Sequence, residues 1–228
     1  MQQTQTAYNN AASKFAESRS GKMMWEEVDM FLPYLPKQQP LHILDLGCGS
    51  GRLLPYLATH CTIASYRGID FSTKLLEEAL EWNKGLIDAQ PFPITFQEGL
   101  LQSFEISYPA DVIFALASLH HLPSKALQLQ CLQNIYASLS KGGILCMMNW
   151  NLLEIPKYAQ YRVSEESQDF LIPLHSGISH LERYYYGFQP EELENLLQRA
   201  GFTLLKQWMS KGTIEQPGWN ICTVGQKK

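Results

Sequence analysis

Short apolar runs alternate along the chain with segments whose apolar residues recur at helical spacing. Contiguous apolar residues predict strands at 41–46, 63–70, 94–97, 111–119, 144–150, 202–209 and 219–224. Helical spacing predicts helices over 1–20, 23–35 and 51–59, after the N-cap residues Ser72 and Ser124, and from Pro190 to Gly201.

This alternation predicts an α/β protein with a doubly wound, seven-stranded and mostly parallel sheet. The last two predicted strands are joined by a short loop without a helix, so one strand near the C-terminus is expected to be reversed. The length favours a single domain over residues 1–228. The segment at about 152–181 breaks the alternation and is expected to be an insertion that serves as a lid.

Composition narrows the class of protein. Hydrophobic residues make up 45% of the chain, and 18 basic against 22 acidic residues give a formal charge of -4. The chain therefore lacks the basic excess typical of nucleic-acid-binding proteins, although a local basic face stays open. The five cysteines are scattered without a Cys-x-x-Cys pair, so neither a disulfide framework nor a metal site is expected.

The N-terminus is polar, and no run approaches the roughly 20 apolar residues that span a bilayer. We therefore expect a cytoplasmic protein without a membrane segment.

A glycine-rich turn directly follows the first predicted strand. Gly47, Gly49 and Gly51 allow a tight turn and close approach of the backbone to a ligand. Asp70 ends the second predicted strand, where a carboxylate can accept both hydroxyls of an adenosine ribose. The nicotinamide fingerprint needs a third glycine where this chain has Arg52, so the loop favours another adenosine-containing cofactor.

With Asp45 before the glycines, the loop resembles that of the class I, Rossmann-like S-adenosylmethionine-dependent methyltransferases. The resemblance implies that S-adenosylmethionine is the cofactor, with Asp45 near its amino end and Arg19 on its carboxylate. Many members have an acidic residue where this chain has Leu100, so that contact to adenine is lost or made by a neighbour. The predicted cofactor-binding residues are Tyr8, Arg19, Asp45, Gly47, Cys48, Gly49, Gly51, Asp70, Phe71, Leu101 and Leu116.

Four further sequence segments resemble one family within this class more closely. They are Tyr8-Asn9 through Ser18-Arg19, Ala117-Ser118-Leu119-His120-His121-Leu122, Trp150, and Arg183-Tyr184-Tyr185-Tyr186-Gly187-Phe188. Over nearly the whole chain they resemble the tRNA wobble-uridine carboxymethyl methyltransferases, which esterify a carboxymethyl group on the first anticodon uridine. The resemblance implies a tRNA anticodon loop as substrate and leaves open a small activator protein, with which eukaryotic members work. The family usually has histidine at the position of Tyr186, and its eukaryotic members have a longer insertion.

Forming a methyl ester suits these residues. A carboxylate acceptor is already ionised at neutral pH, so no general base is required. Arg183 is the candidate clamp because a guanidinium binds a carboxylate bidentately. His121 is expected to contact the substrate, and Trp150, Tyr184 and Tyr185 are expected to stack on a splayed base. The predicted catalytic residues are Arg183, His121, Trp150 and Tyr184.

Each of these residues also has a structural interpretation. The histidines could bond backbone at a strand end, and the tryptophan could belong to the core. The tyrosines at 184–186 could form an aromatic ladder at a sheet edge, and Arg183 could pair on the surface with Glu182 or Glu191.

Two other functions stay open. The acidic net charge favours a methyltransferase for a small metabolite, in which the double histidine would act as a base on a hydroxyl. A non-catalytic binding protein is the third hypothesis, and it predicts a damaged glycine loop, whereas the loop here is intact.

Overall fold

In the computed structural model, a seven-stranded sheet forms the centre of the chain. The structure describes residues 2–17, 26–37, 40–174, 181–211 and 218–228. The strands are β1 (Leu41–Leu46), β2 (Ile63–Asp70), β3 (Ile94–Glu98), β4 (Ala110–Leu116), β5 (Leu139–Trp150), β6 (Asp169–Pro173), β7 (Glu182–Tyr186), β8 (Thr203–Met209) and β9 (Asn220–Gln226). β6 and β7 form a separate two-stranded sheet, and the other strands lie in the order β3-β2-β1-β4-β5-β9-β8.

The direction of the strands agrees with the sequence pattern. Strands β3, β2, β1, β4 and β5 are parallel to one another, whereas β9 is antiparallel to both β5 and β8. The predicted α/β fold, a mostly parallel sheet with a reversed strand near the C-terminus, is confirmed.

Helices cover both faces of the sheet. They are α1 (Gln2–Glu17), α2 (Leu53–His60), α3 (Thr73–Ala89), α4 (Lys125–Ser138) and α5 (Pro190–Arg199). On the central strand β4, Val112 and Phe114 pack in a core with α2, whereas Ile113 and Ala115 pack in a second core with α4 and α5. A strand buried on both faces needs apolar residues at every position, which explains its uninterrupted apolar run.

Three predicted element bounds are wrong. In place of a continuous helix over 23–35, the described part of that segment forms two 3-10 helices, Glu26–Val28 and Leu32–Tyr34, because Pro33 cannot donate a helical hydrogen bond. β4 ends at Leu116 rather than at 119, because Ala117 has a left-handed φ of 58° and turns the chain.

The strand predicted at 144–150 begins five residues earlier, because β5 begins at Leu139. There the pairing with β4 shifts register between Ala110 and Val112, and Gly142 has a φ of 81°. A β-bulge thus accommodates Gly142 inside the strand.

The predicted insertion at 152–181 contains a 3-10 helix, Pro156–Tyr161, and β6, which pairs with β7. Leu152, Phe170 and Ile172 bury their side chains with Tyr185 in a small core of their own. Residues 175–180 lie outside the described residues. A role of this segment as a lid stays a prediction.

Within the described ranges, the chain has no helix with the length and apolarity needed to cross a bilayer.

The start of α3 holds α1 in place, and this contact can be tested. The Ser72 hydroxyl accepts a hydrogen bond from the Leu75 N–H (3.2 Å) and donates one to the Asn9 side chain on α1 (2.7 Å). We expect Ser72→Ala to reduce the free energy of unfolding by about 1–2 kcal/mol, as loss of an N-cap does. Because α1 also lines the cavity described below, we expect weaker cofactor binding in addition, measured by calorimetric titration.

Ser124→Ala is the matched control. Ser124 caps α4 through the Leu127 N–H (3.2 Å) and has no bond to α1 among the described residues. It should lose similar stability in urea denaturation and keep its cofactor affinity. Equal loss of affinity in both variants would show that α1 is not held through Ser72.

Candidate functional site

The glycine-rich turn after β1 folds onto the end of β2. The backbone N–H groups of Gly47 and Cys48 both donate to the carbonyl of Ile69, at 2.7 and 3.1 Å. Gly47 has a φ of 75°, and a β-carbon at this position would lie 2.6 Å from the β-carbon of Ser118. Both the conformation and the close approach of Ser118 therefore require glycine here.

Two buried carboxylates lie beside this turn. Asp70 accepts hydrogen bonds from the Gly49 N–H (2.9 Å) and the Ser72 N–H (2.8 Å), and Asp45 accepts one from the Tyr66 hydroxyl (2.6 Å). Burial raises the pKa of Asp45 to about 7 and that of Asp70 to about 6, although these hydrogen bonds oppose the shift. Both carboxylates have thus lost hydration, which destabilises their ionised forms. A ligand that donates hydrogen bonds to them can reduce this loss.

A cavity of about 350 Å³ lies between this turn and β7, with α1 forming part of its wall. That volume is within the range of small-molecule sites. Of the residues predicted from sequence, the cavity is lined by Tyr8, Asp45, Gly47, Cys48, Gly49, Asp70, Phe71, Leu101, Leu116, His121, Trp150 and Arg183. Their roles stay predictions, but the fold brings them together in one place.

Among the described residues, the predicted residues Gly51 and Tyr184 do not line the cavity. Gly51 packs instead against α3 and β3, where a β-carbon would lie 2.8 Å from Asn83 and 2.9 Å from Phe96. Arg19 lies outside the described residues. Tyr184 directs its hydroxyl to Asp169, on the side of β7 away from the cavity.

The position of Tyr184 corrects the predicted aromatic wall. Side chains alternate between the two faces of a strand. Arg183 and Tyr185 therefore face the cavity, whereas Tyr184 and Tyr186 face away from it. Tyr185 is buried and lies nearly parallel to Trp150, with ring centroids 4.9 Å apart and an angle of 13°. Of the two tyrosines expected to stack on a base, Tyr185 therefore lies beside Trp150 in the cavity wall, whereas Tyr184 does not.

A chain of hydrogen bonds fixes the tautomer of His121. Its Nδ1 lies 2.8 Å from the Tyr184 carbonyl, which can only accept, so Nδ1 carries the proton. Nε2 then accepts from the Tyr8 hydroxyl at 3.2 Å. Burial lowers the pKa of His121 to about 4, so the ring is neutral at physiological pH.

Arg183 is a half-buried cation beside these groups. Its Nη1 lies 3.5 Å from the Tyr8 hydroxyl, and its guanidinium lies over the rings of Tyr8 and Tyr185 at 5.5 and 5.4 Å. Within the described ranges, neither Glu182 nor Glu191 is within ion-pair distance of it, and its Nε has no hydrogen-bond partner. Burial opposes its charge, but the neighbouring Tyr185 and Tyr8 hydroxyls raise its pKa, so it stays a cation.

Sequence reasoning missed part of the wall. Gln2, Gln5 and Thr4 of α1 line the cavity, and the spacing of Gln2 and Gln5 from Tyr8, in steps of three, would have placed them on its helix face. Gln102 also lines the cavity, close in sequence to Leu100, whose missing carboxylate was noted. It is a candidate for the polar contact that Leu100 cannot make.

The residues at the β1 end of the cavity fit S-adenosylmethionine. The Ser50 and Ser118 hydroxyls line the cavity and are buried without a partner in the part of the chain that the structure describes. Asp45 and Asp70 offer desolvated acceptors for an amine and for ribose hydroxyls. A ligand with both kinds of donor would satisfy these groups. Burial raises the pKa of the Cys48 thiol well above its usual range, which agrees with a packing role rather than a nucleophilic one.

Comparison with known proteins supports this interpretation. Residues 44–145 match the model of a family described as a methyltransferase domain. The chain is 32% identical over 113 residues to trans-aconitate 2-methyltransferase of Pseudomonas aeruginosa (strain UCBPP-PA14), over 49% of this chain and 37% of that protein. It thus spans less than half the length of the Pseudomonas relatives of this name that it matches.

The chain also matches, over a longer stretch, a tRNA (carboxymethyluridine(34)-5-O)-methyltransferase of Schizosaccharomyces pombe (strain 972 / ATCC 24843). The two are 26% identical over 223 residues, which cover 87% of this chain and 88% of that protein. The match therefore reaches beyond the methyltransferase domain into the segment that contains Arg183.

Solved structures share the fold. A Burkholderia thailandensis 1,6-didemethyltoxoflavin-N1-methyltransferase, solved with 1,6-didemethyltoxoflavin and S-adenosylhomocysteine, has a TM-score of 0.72 at 18% identity, over 99% of this chain and 88% of that one. A Haloferax volcanii complex between the Trm112 methyltransferase activator and a methyltransferase has a TM-score of 0.70 at 14% identity, over 98% and 96%. The matched domain and the shared fold support a class I S-adenosylmethionine-dependent methyltransferase.

The raised pKa of Asp45 predicts a dependence of stability on pH. Between about pH 4 and 7 the folded chain keeps a proton that the unfolded chain releases, so the free protein loses stability as pH rises through this window. We expect Asp45→Asn to remove most of this dependence and to raise the free energy of unfolding at pH 8 by ~1–3 kcal/mol. The same change should weaken S-adenosylmethionine binding. Urea denaturation from pH 5 to 9 and calorimetric titration measure both effects.

Asp88→Asn is the control, because it removes a carboxylate that lies exposed on α3. It should leave the pH dependence and the cofactor affinity as in the unmodified protein. A pH dependence unchanged by Asp45→Asn would mean that Asp45 is ionised in the folded chain without cost.

Proposed function

We propose that the protein is an S-adenosylmethionine-dependent methyltransferase that forms the methyl ester of a carboxymethyl-modified wobble uridine in tRNA. The observation that carries the proposal is Arg183, a half-buried cation in the cavity with an unpartnered Nε and no ion-pair partner among the described residues. A guanidinium in this state is a receptor for an anion, and the planar carboxylate fits it bidentately.

The state of His121 favours a carboxylate over a hydroxyl as the acceptor. Methylation of a hydroxyl needs a base near the operating pH. His121 has a pKa lowered to about 4 by burial, and both ring nitrogens already have partners in Tyr8 and the Tyr184 carbonyl. A carboxylate arrives ionised and needs no base, so a neutral histidine that only positions Tyr8 is sufficient.

The chain's own residues position the reaction. Asp45, Asp70 and the backbone of the glycine turn would hold S-adenosylmethionine at one end of the cavity. When bound, the cofactor supplies a methyl group, whose bond to the sulfonium sulfur breaks as the bond to the carboxylate oxygen forms, with the electron pair left on sulfur. Arg183 would hold the carboxylate, and Tyr8 and His121 would fix the guanidinium. Because no proton moves, orientation and exclusion of water supply most of the rate.

The extent of the sequence matches favours tRNA as the source of the carboxylate. The S. pombe relative, named for carboxymethyluridine 34, aligns with 87% of the chain, whereas the trans-aconitate methyltransferases align with 49% to 65% of it. A small activator subunit is a further part of the proposal, since the H. volcanii neighbour is a complex with such an activator.

A small-metabolite carboxylate is the second candidate. The net charge of -4 and the match to trans-aconitate methyltransferases favour it. It would use the same arginine and the same cofactor, so only the acceptor distinguishes the two proposals.

The test is methyl transfer from labelled S-adenosylmethionine to total tRNA, followed by nucleoside analysis, with and without an added activator protein. We expect the label in a methyl ester of a carboxymethyl-type uridine, released by mild base. Label in a metabolite extract and none in RNA would contradict the tRNA proposal in favour of the second candidate.

Replacement of Arg183 tests the clamp. We expect Arg183→Ala to lower kcat/KM for the acceptor by about 10- to 100-fold, as loss of a charge-assisted hydrogen-bond pair does. Arg183→Lys should recover only part of this, because lysine cannot bind bidentately. Cofactor affinity should change little. Steady-state kinetics and calorimetric titration measure these values.

Arg199→Ala, which removes an exposed arginine on α5, controls for the loss of one positive charge. If Arg183→Ala and Arg199→Ala reduced the rate equally, only overall charge would matter. If Arg183→Ala reduced acceptor and cofactor binding to the same extent, the clamp would be assigned to the wrong residue.

A further inference from the structure

His120, which lines the cavity, has an unused hydrogen-bond donor. It lies in the 3-10 helix Leu119–His121 and is completely buried. The backbone N–H of Trp150 points to its Nδ1 at 3.2 Å. Because a backbone N–H can only donate, Nδ1 must be the unprotonated acceptor, and the proton of the neutral ring is on Nε2.

The surroundings keep this ring neutral. Burial lowers the pKa of His120 well below its usual range, and the neighbouring His121 and Arg183 lower it further, whereas the nearby Ala117 carbonyl opposes this shift without cancelling it. The tautomer set by Trp150 is therefore the one present at physiological pH.

The Nε2–H group has no partner in the described part of the chain, although the residue lines the cavity. Buried donors in proteins nearly always have a partner, since a donor without one loses its hydration and gains nothing. The Ala117 carbonyl lies near the ring but makes no hydrogen bond to Nε2 within the described ranges, so a ligand in the cavity can supply the acceptor.

The donor and the guanidinium lie around the same ring. The centroid of Tyr185 is 5.1 Å from that of His120 and 5.4 Å from the guanidinium carbon of Arg183. A ligand that meets both must carry an anionic group and a neutral acceptor close to each other. Trp150, nearly parallel to Tyr185, adds an aromatic wall at the same place.

We propose that His120 is a specificity-determining residue, which donates from Nε2 to a ring carbonyl next to the carboxylate of the methyl acceptor. The assignment rests on the proposed function. In a uracil with a carboxymethyl group on carbon 5, the O4 carbonyl is on the adjacent ring carbon. Arg183 would bind the carboxylate while His120 binds O4, so acceptors without this carbonyl are rejected.

Two substitutions separate this role from the structural one. Asparagine places its carbonyl oxygen near the position of Nδ1, so His120→Asn keeps an acceptor for the Trp150 N–H and removes the donor to the cavity. Glutamine places its NH₂ group near Nε2, so His120→Gln restores the donor and loses that acceptor.

We expect His120→Asn to raise KM or lower kcat for a carboxymethyluridine-containing anticodon stem-loop, with kcat/KM about 5- to 20-fold lower. Its Tm and its affinity for S-adenosylmethionine should stay close to the original values. His120→Gln should recover part of the activity in spite of a lower Tm. An unchanged kcat/KM in His120→Asn would overturn the proposed role of His120. So would a loss of activity that parallels the loss of Tm in both variants.

An acceptor analogue completes the test. A stem-loop with sulfur in place of O4 offers a weaker acceptor, so the unmodified enzyme should use it less well, whereas His120→Asn should use both substrates equally. Equal discrimination by both proteins would overturn the contact to O4. The two proposals fail differently: no ester in RNA with the unmodified protein overturns the proposed function and this contact with it, whereas ester formation indifferent to His120→Asn overturns the contact alone.

Discussion

Three backbone N–H groups of the glycine turn determine how the cofactor end of the cavity is built. Those of Gly47 and Cys48 bind the Ile69 carbonyl, and that of Gly49 binds the Asp70 carboxylate. They tie the end of β1 to the end of β2, and the second carboxylate oxygen of Asp70 binds the N–H of Ser72, at the start of α3. Ser72 in turn holds α1 through Asn9. One desolvated carboxylate thus connects two strands and two helices, and its raised pKa is the physical cost of that arrangement.

The cavity has opposite charge at its two ends. Carboxylates lie beside the glycine turn, and the guanidinium of Arg183 lies beside β7, with two neutral histidines in the wall near it. In a site with little water, fixed charges act more strongly than on the surface. Two ligands, one cationic and one anionic, are therefore oriented by these charges before they react. Transfer of a methyl group to a carboxylate requires such an orientation.

Periodicity and glycine placement predicted the sheet, its reversed strand and the residues around the turn, because burial and left-handed φ angles leave direct marks in the sequence. The misses have local causes. The apolar residues after Leu116 signalled burial, but Ala117 turns the chain out of the strand. Tyr184 and Tyr185 are adjacent tyrosines, and only the pairing of β7 with β6 decides which one faces the cavity. The free donor of His120 depends on a backbone N–H thirty residues away, at Trp150, and no sequence pattern records a tautomer.

The end of the cavity beside Arg183 joins parts of the chain that are far apart in sequence. Tyr8 meets His121 across 113 positions and Arg183 across 175, and the Tyr184 N–H reaches Thr4 across 180. Closing such long loops has a high entropic cost, which is recovered only after both ends are held by a folded framework. The βα units that form the cofactor turn are local by comparison. Loop-closure entropy therefore favours formation of the glycine turn before the contacts between α1 and β7.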